Sequence, residues 1–234
     1  MLRLLLLTTA YSLSFSIVAQ FGISGFYNTS LDDFTSITYP DGGSLTNGYE
    51  VSADYWFRLK NKRIEFLPTV SFGRYENSIA VPPLVSEESV NVDFTFNEVG
   101  FQFKTNFYLL DFGTDCDCPT FGKQGPALHK GFFVQLAPGI SLWEGKSVAS
   151  TFTDRVQKDR STITHLGIGL GLDFGFSNLV TVTPIVSYRY YFTELSWEGQ
   201  REPCDVCDLL PNENNVSTLQ AGIRLGIRLD KRKY

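Results

Sequence analysis

The stretch Tyr49-Glu-Val-Ser-Ala-Asp-Tyr-Trp-Phe-Arg-Leu59 alternates with period two. Tyr49, Val51, Ala53, Tyr55, Phe57 and Leu59 fall on one side, and Glu50, Ser52, Asp54 and Arg58 on the other. Successive side chains of an extended strand point to opposite faces, so this stretch is a strand with one apolar and one charged face. A tight turn at Asn61-Lys62 leads into a second run of the same kind. There Ile64, Phe66, Val70 and Phe72 oppose Glu65, Thr69, Ser71 and Gly73. With Lys60 and Arg63 flanking a two-residue turn, Phe57 meets Phe66 and Arg58 meets Glu65.

The pattern continues along the chain. Val99, Phe101, Phe103, Phe107 and Leu109 oppose Gly100, Gln102, Lys104, Asn106 and Tyr108. Phe132, Val134, Leu136, Ile140 and Leu142 oppose Gln135, Ala137, Gly139 and Ser141. The most regular run sets Leu166, Ile168, Leu170, Leu172 and Phe174 against Gly167, Gly169, Gly171, Asp173 and Gly175. Val180, Val182, Val186, Tyr188, Tyr190 and Phe192 follow, against Thr181, Thr183, Ser187 and Arg189. The last run sets Leu219, Ala221, Ile223, Leu225, Ile227 and Leu229 against Gln220, Gly222, Arg224, Gly226 and Arg228. With a first strand near Phe21 to Thr29 the count is eight, an even number as closed bacterial barrels have. The phase slips near Asn97-Glu98, where Phe94 and Phe96 give way to Val99 and Phe101; a bulge is expected there, with the part of the strand before it rising above the bilayer.

The connections after strands two and six are short, and those after strands one, three, five and seven are longer and polar. That is the pattern of periplasmic turns and outer loops in a barrel with both chain ends inside. The connection from about Gly113 to Lys130 is the exception, long where a turn is expected.

Residues 1–19 have the layout of an export signal: basic Arg3, apolar Leu4 to Leu7, and a small residue at Ala19. Cleavage is expected before Gln20, leaving residues 20–234 as the barrel domain. No later run approaches the roughly 20 apolar residues that a spanning helix needs. Mean hydropathy near zero (−0.06) excludes a polytopic helical membrane protein. A net charge of −5 argues against nucleic-acid binding.

Alternation alone does not say which face meets water. Two features favour an inside-out barrel over a soluble sandwich. Tyr55, Phe57, Phe107, Phe132, Tyr188, Tyr190 and Phe192 lie near strand ends on the apolar face, where aromatic girdles sit. The polar face carries rows of glycines and few charges, which suits the lumen of a narrow barrel better than a solvated surface. Its charges nearly balance: Glu50, Asp54, Glu65 and Asp173 against Arg58, Lys104, Arg189, Arg224 and Arg228. An ion-paired plug is expected, not an ion-selective pore.

The end of the signal at Val18-Ala19-Gln20, the strand spacing, the Asp115-Cys-Asp-Cys-Pro-Thr120 segment and the Leu219-to-Leu229 strand together resemble outer-membrane β-barrels abundant in Bacteroidota, grouped as PorT-like or OmpA/OmpX-like. The resemblance covers nearly the whole mature chain and rests mostly on architecture. One departure is the tail, Asp230-Lys-Arg-Lys-Tyr234, which puts the terminal aromatic residue off the apolar phase.

Four cysteines form Cys116-x-Cys118 and Cys204-x-x-Cys207. Two close pairs are compatible with zinc, but disulfides are the ordinary expectation for an exported chain. Three strands separate the pairs and put them at opposite ends of the barrel. A Cys204–Cys207 bridge in the last outer loop is the candidate, and the state of Cys116 and Cys118 stays open. The Gly167-x-Gly169-x-Gly171 spacing lacks the strand-to-helix context of a phosphate loop. A hydrolase would need a nucleophile, a His and a carboxylate. The chain has only His129 and His165, and a turn at Phe176-Ser177-Asn178 sets His165 roughly opposite Arg189, a cation. The expectation is a non-enzymatic barrel with no cofactor or metal. Its partners would be outer-membrane lipid and a protein met through the outer loops or the Cys116–Cys118 connection. The alternatives are a lipid-modifying hydrolase and a secreted lipocalin-like barrel.

Overall fold

The computed structural model describes residues 20–31, 47–59, 62–81, 90–111, 127–149, 156–177, 179–192 and 216–228. The export signal, all four cysteines and the C-terminal tail lie outside them, as do the side chains of Arg58 and Arg228. Eight antiparallel strands run in chain order. They are β1 (Gln20–Ser30), β2 (Asn47–Tyr55), β3 (Ile64–Val81), β4 (Val90–Phe107), β5 (Phe132–Ala149), β6 (Val156–Leu172), β7 (Val180–Tyr191) and β8 (Val216–Arg228). Two-residue segments continue β2 past Trp56 (Phe57–Arg58) and β6 past Asp173 (Phe174–Gly175), each in the register of its parent strand.

Each strand pairs with the next, and β8 pairs back onto β1 from Gln20↔Arg228 to Ser30↔Thr218, so the sheet is a closed barrel. Its stagger follows from the register. Paired positions lead from Gly22 through Asp54, Thr69, Gln102, Gly139, His165 and Tyr191 to Val216. Val216 is two residues before Thr218, the partner of Ser30, and Ser30 is eight residues beyond Gly22; the circuit therefore closes ten residues along β1. Eight strands with that shear tilt by about 40° and have a backbone radius of about 8 Å, a lumen that side chains can fill.

Burial alternates residue by residue and is inverted relative to a soluble protein. Ile23, Val51, Val70, Leu142, Ile168, Val186 and Ile223 all point outward and are more than half exposed, whereas Glu50, Glu65, Gln102 and Arg189 point inward and are at most 2% exposed. A continuous apolar mantle of this extent is stable against lipid, not water. The chain is a transmembrane barrel. On β5 the mantle runs from Phe132 to Leu142, eleven residues of a tilted strand, or about 25 Å of membrane thickness. An aromatic ribbon crosses its lower part. Phe21, Tyr55, Phe57, Phe66 and Phe103 follow one another over β1 to β4 with ring centroids 5.5–6.3 Å apart.

The β2–β3 hairpin has the expected register, Phe57↔Phe66 and Arg58↔Glu65. Two expectations are corrected. No bulge occurs at Asn97-Glu98: β4 pairs without a break from Val90 to Phe107 with β3. Phe96 and Glu98 both point inward. What changes is the medium outside. Beyond Phe72 and Leu142 the outward residues become Arg74, Glu76, Glu144 and Lys146, and the inward ones become Tyr75, Phe96 and Trp143. Above the lipid the ordinary order returns, apolar inside and charged outside, so the apolar phase shifts while the ladder does not. The middle strands are also longer than their apolar alternation indicates, because backbone pairing continues where the mantle stops.

Candidate functional site: the ion-paired lumen

The inward side chains form two layers. The upper one centres on Arg189, whose guanidinium donates from Nη1 to Glu50 Oε2 (2.9 Å) and from Nη2 to Glu50 Oε1 (3.3 Å). The same Nη1 reaches Glu98 Oε1 at 3.3 Å and Tyr191 Oη at 3.1 Å. Glu98 also accepts from Ser141 Oγ (2.6 Å) and Tyr75 Oη (3.1 Å), and Tyr191 Oη lies 3.2 Å from both of its oxygens. Asn28 donates to Tyr75 Oη and Gln220 to Glu50. A buried charge is tolerable only when most of its lone pairs and protons are used, and here they are. Above this layer the Tyr75 and Trp143 rings stack at 5.2 Å. Phe96 and Tyr191 meet Trp143 edge-on, and together they form an aromatic lid.

The lower layer holds the second guanidinium. Arg224 grips Asp54 with Nε to Oδ2 at 2.8 Å and Nη2 to Oδ1 at 2.5 Å, the two-point geometry that favours Arg over Lys. Gly22 is small because of it: a Cβ there would lie 2.5 Å from Asp54 Oδ2 and 2.6 Å from Arg224 Nε. Below, Tyr108 Oη lies 2.7 Å from Glu65 Oε2 and 2.6 Å from Asp173 Oδ2, so one phenol ties two carboxyl groups, and Thr183 donates to Asp173.

The long connection after β4 closes this end. Its described parts are a 3-10 turn (Leu109–Asp111) and a short helix, α1 (Ala127–Gly131). Gly131 accepts from the Asp173 amide, Lys130 accepts from Arg63 Nη2, and the Arg63 guanidinium sits 5.4 Å from the Tyr108 ring.

Of the expected network, Glu50, Asp54, Glu65, Asp173, Arg189 and Arg224 are brought into these layers. Lys104 is in the lumen but between them, its ammonium 5.1 Å from the Phe26 ring. The side chains of Arg58 and Arg228 lie outside the described residues, as does the Cys204–Cys207 pair. Glu98, Arg63 and the upper-layer tyrosines Tyr75 and Tyr191 were missed, whereas Tyr108 lies on the polar face that the alternation gives it. Glu98 is in phase with Gly100, Gln102 and Lys104, which was the available signal; the supposed slip hid it. Arg63 was assigned to a turn flank.

His165 is a further correction. It pairs with Tyr191, not near Arg189, which faces Gly167. Gly175 pairs with Thr181, and Ser177 Oγ accepts the Leu179 and Val180 amides, so the turn is centred one residue later and the register moves by two. His165 Nδ1 lies 3.2 Å from Ser141 Oγ. A carboxylate, Glu98, is therefore near after all, but the serine stands between acid and imidazole. In a hydrolytic triad the imidazole stands between serine and acid. Among the described residues no group of three or more potential ligands could hold a metal ion.

No known family model matches the chain, and no curated protein is similar to it in sequence. Several solved structures are similar to it, among them the following three. Neisserial surface protein A has a TM-score of 0.48 and 15% identity, over 90% of this chain and 96% of that one. A major outer membrane protein from Thermus thermophilus has a TM-score of 0.49 and 10% identity, over 89% and 99%. Ail, the attachment invasion locus protein of Yersinia pestis, has a TM-score of 0.43 and 16% identity, over 89% and 99%.

Proposed function

We propose that this chain is a non-enzymatic barrel of the bacterial outer membrane, exported with cleavage near Ala19 and of the PorT-like or OmpA/OmpX-like type found in Bacteroidota. Its plugged interior anchors a projecting sheet that contacts a protein partner, in adhesion, envelope integrity or surface and secretion assembly. One observation carries the reading. The pairing of β2 with β3 ends at Gly48↔Tyr75 while β3 runs on to Val81, and that of β7 with β6 ends at Tyr191↔His165 while β6 begins at Val156. Strands β3 to β6 thus stand above the mantle as a four-stranded sheet. Six further residues of β3 raise its edge by about 15 Å along the axis. Among the described residues neither outer edge, 76–81 or 156–163, has a strand partner; the last backbone bond on the second side is from Phe192 to Thr164. Open edges of this kind pair with extended segments of other proteins.

The lumen supports an anchoring role. Ser141 and His165, the residues closest to hydrolase chemistry, are at most 2% exposed, out of reach of a lipid ester. Replacing residues 77–94 by a two-residue turn removes the sheet tip and leaves the barrel pairs below it. Partner capture from intact cells by the full chain but not by the shortened one is expected; equal capture refutes the role of the sheet. Lipid analysis of cells carrying His165→Ala should show no change, and loss of a modified lipid would favour the hydrolase. A membrane-impermeant thiol reagent on intact, reduced cells should label Cys204 and Cys207 but not Cys116 and Cys118, and the opposite pattern would invert the orientation.

A further inference from the structure

At the upper end of the mantle the outward residues turn charged at once: Arg74 follows Phe72 on β3, and Glu144 follows Leu142 on β5. The lower end does the opposite. Leu109 and Leu110 of the 3-10 turn, Leu128 of α1, and Phe176 and Leu179 of the β6–β7 turn all lie beyond the paired strands. A barrel end surrounded by water would be polar there, yet these five side chains are 49–74% exposed.

The connections that carry them are tied down. α1 packs against the 3-10 turn and the end of β6. The Arg63 guanidinium and the Asp173 amide hold its last two carbonyls, those of Lys130 and Gly131. In the β6–β7 turn Ser177 Oγ accepts the Leu179 and Val180 amides. Single exposed leucines are ordinary, but large apolar side chains gathered at one end on fixed backbone mark a contact surface.

Three observations name its occupant. The first is continuity with the mantle. Leu109 keeps the outward phase of Phe103 and Phe107, and Phe176 keeps that of Leu172 and Phe174. The second is depth. Leu128 stands four residues before Phe132, the lowest mantle residue of β5, and so lies within about 8 Å of it. The mantle already spans the hydrocarbon from Phe132 to Leu142, so Leu128 falls in the headgroup layer, which is about 5–8 Å deep on each side. The third is charge. Lys62 of the β2–β3 turn and Lys130 of α1 stand at this end, whereas the described acidic side chains nearby, Asp54, Glu65 and Asp173, are buried in the lumen.

We propose that the lower end of the barrel is an interfacial foot seated in the phospholipid leaflet around it. The leucines and Phe176 lie at the level of the first acyl carbons. Lys62 and Lys130, whose long apolar stems run alongside, reach lipid phosphates. The foot fixes the height of the barrel from below, as the charged collar at Arg74 and Glu144 does from above. A soluble protein docked on the same residues is the competing occupant, and it requires them to face water.

The test is paramagnetic broadening of leucine methyl resonances in the full chain refolded into phospholipid nanodiscs, with single Leu→Val variants for assignment. One sample carries phosphatidylcholine with a nitroxide at carbon 5 of the acyl chain, the other a water-soluble gadolinium chelate. Stronger broadening of the Leu109 and Leu128 methyls by the lipid nitroxide than by the chelate is expected, as for Leu170 within the mantle. The reverse order overturns the foot and leaves a face open to a soluble partner. Urea-dependent folding into vesicles gives a second readout with Leu110→Ser and Leu128→Ser combined. Half-burial of each leucine in lipid predicts a combined loss in the folding equilibrium of about tenfold or more. An unchanged or increased equilibrium would mean that both side chains face water, and would also overturn the proposal.

Discussion

Arg189→Met removes the one guanidinium of the upper layer and keeps much of its volume. Glu50 and Glu98, both 1% exposed, then share a low-dielectric site with no cation at contact distance among the described residues. The donors left to Glu50 and Glu98, the amide of Gln220 and the hydroxyls of Ser141, Tyr75 and Tyr191, carry no charge. Breaking a buried pair from one side costs about 3–5 kcal/mol, because the partner stays buried and uncompensated. At 1.4 kcal/mol per power of ten this lowers the folding equilibrium constant by about two to four orders of magnitude. Arg160→Met is the control: its bond to Glu144 (3.1 Å) is on the outer face, with 81% of the arginine side chain exposed, and such pairs contribute about 0–1 kcal/mol. The assay is urea-dependent folding into lipid vesicles followed by tryptophan fluorescence, with folded barrel scored independently by its gel mobility without boiling. Adding Glu50→Gln to Arg189→Met should recover at least about 1 kcal/mol, since the orphaned carboxylate is the source of the loss. If Arg189→Met lies within about 0.5 kcal/mol of the parent, or the double variant is no better than the single, the lumen is not held by this pair and the reasoning fails.

Three further outcomes follow from the same geometry. Gly171→Ala places a Cβ against the Phe133 ring, 2.7 Å from Cε2, and should cost about 1–3 kcal/mol, whereas Gly25→Ala, whose Cβ meets nothing within 4 Å, should be neutral or mildly stabilising; urea midpoints check both. Ile223→Arg sets a charge in the lipid-facing mantle and should cost about 2–4 kcal/mol, against less than about 0.5 kcal/mol for Thr162→Arg above it; equal effects in vesicles would misplace the mantle. In planar bilayers the refolded protein should give no steady porin-like conductance, because the Arg189 and Arg224 layers cross a lumen of about 8 Å backbone radius; sustained openings of porin size would show a wider or assembled pore.

The eight strands, the inward and outward faces of their lipid-spanning parts and the Phe57↔Phe66 hairpin were legible in the chain, because each is a local property. A strand has a period of two, a two-residue turn leaves one register, and a mantle that must meet lipid along its whole height writes an uninterrupted alternation such as that of residues 166–174. The composition of the polar face, glycines and balanced charges, was also sufficient to turn the barrel inside out. What local pattern could not supply was distance between strands far apart in sequence. Arg189 meets Glu50 across 139 residues and Arg224 meets Asp54 across 170, and both pairings depend on the shear of the closed sheet. The apolar run that breaks at Glu98 was misread for the same kind of reason. Whether an apolar residue belongs inside or outside depends on the medium beyond the wall, and only the assembled barrel decides where the lipid ends and water begins. The position of His165 turned on a single residue in the β6–β7 turn, since moving the centre of a hairpin by one residue moves every pair by two. Ser141, Glu98 and Tyr191 came to that histidine through three separate registers, each of which had to be correct before the lumen could be assembled.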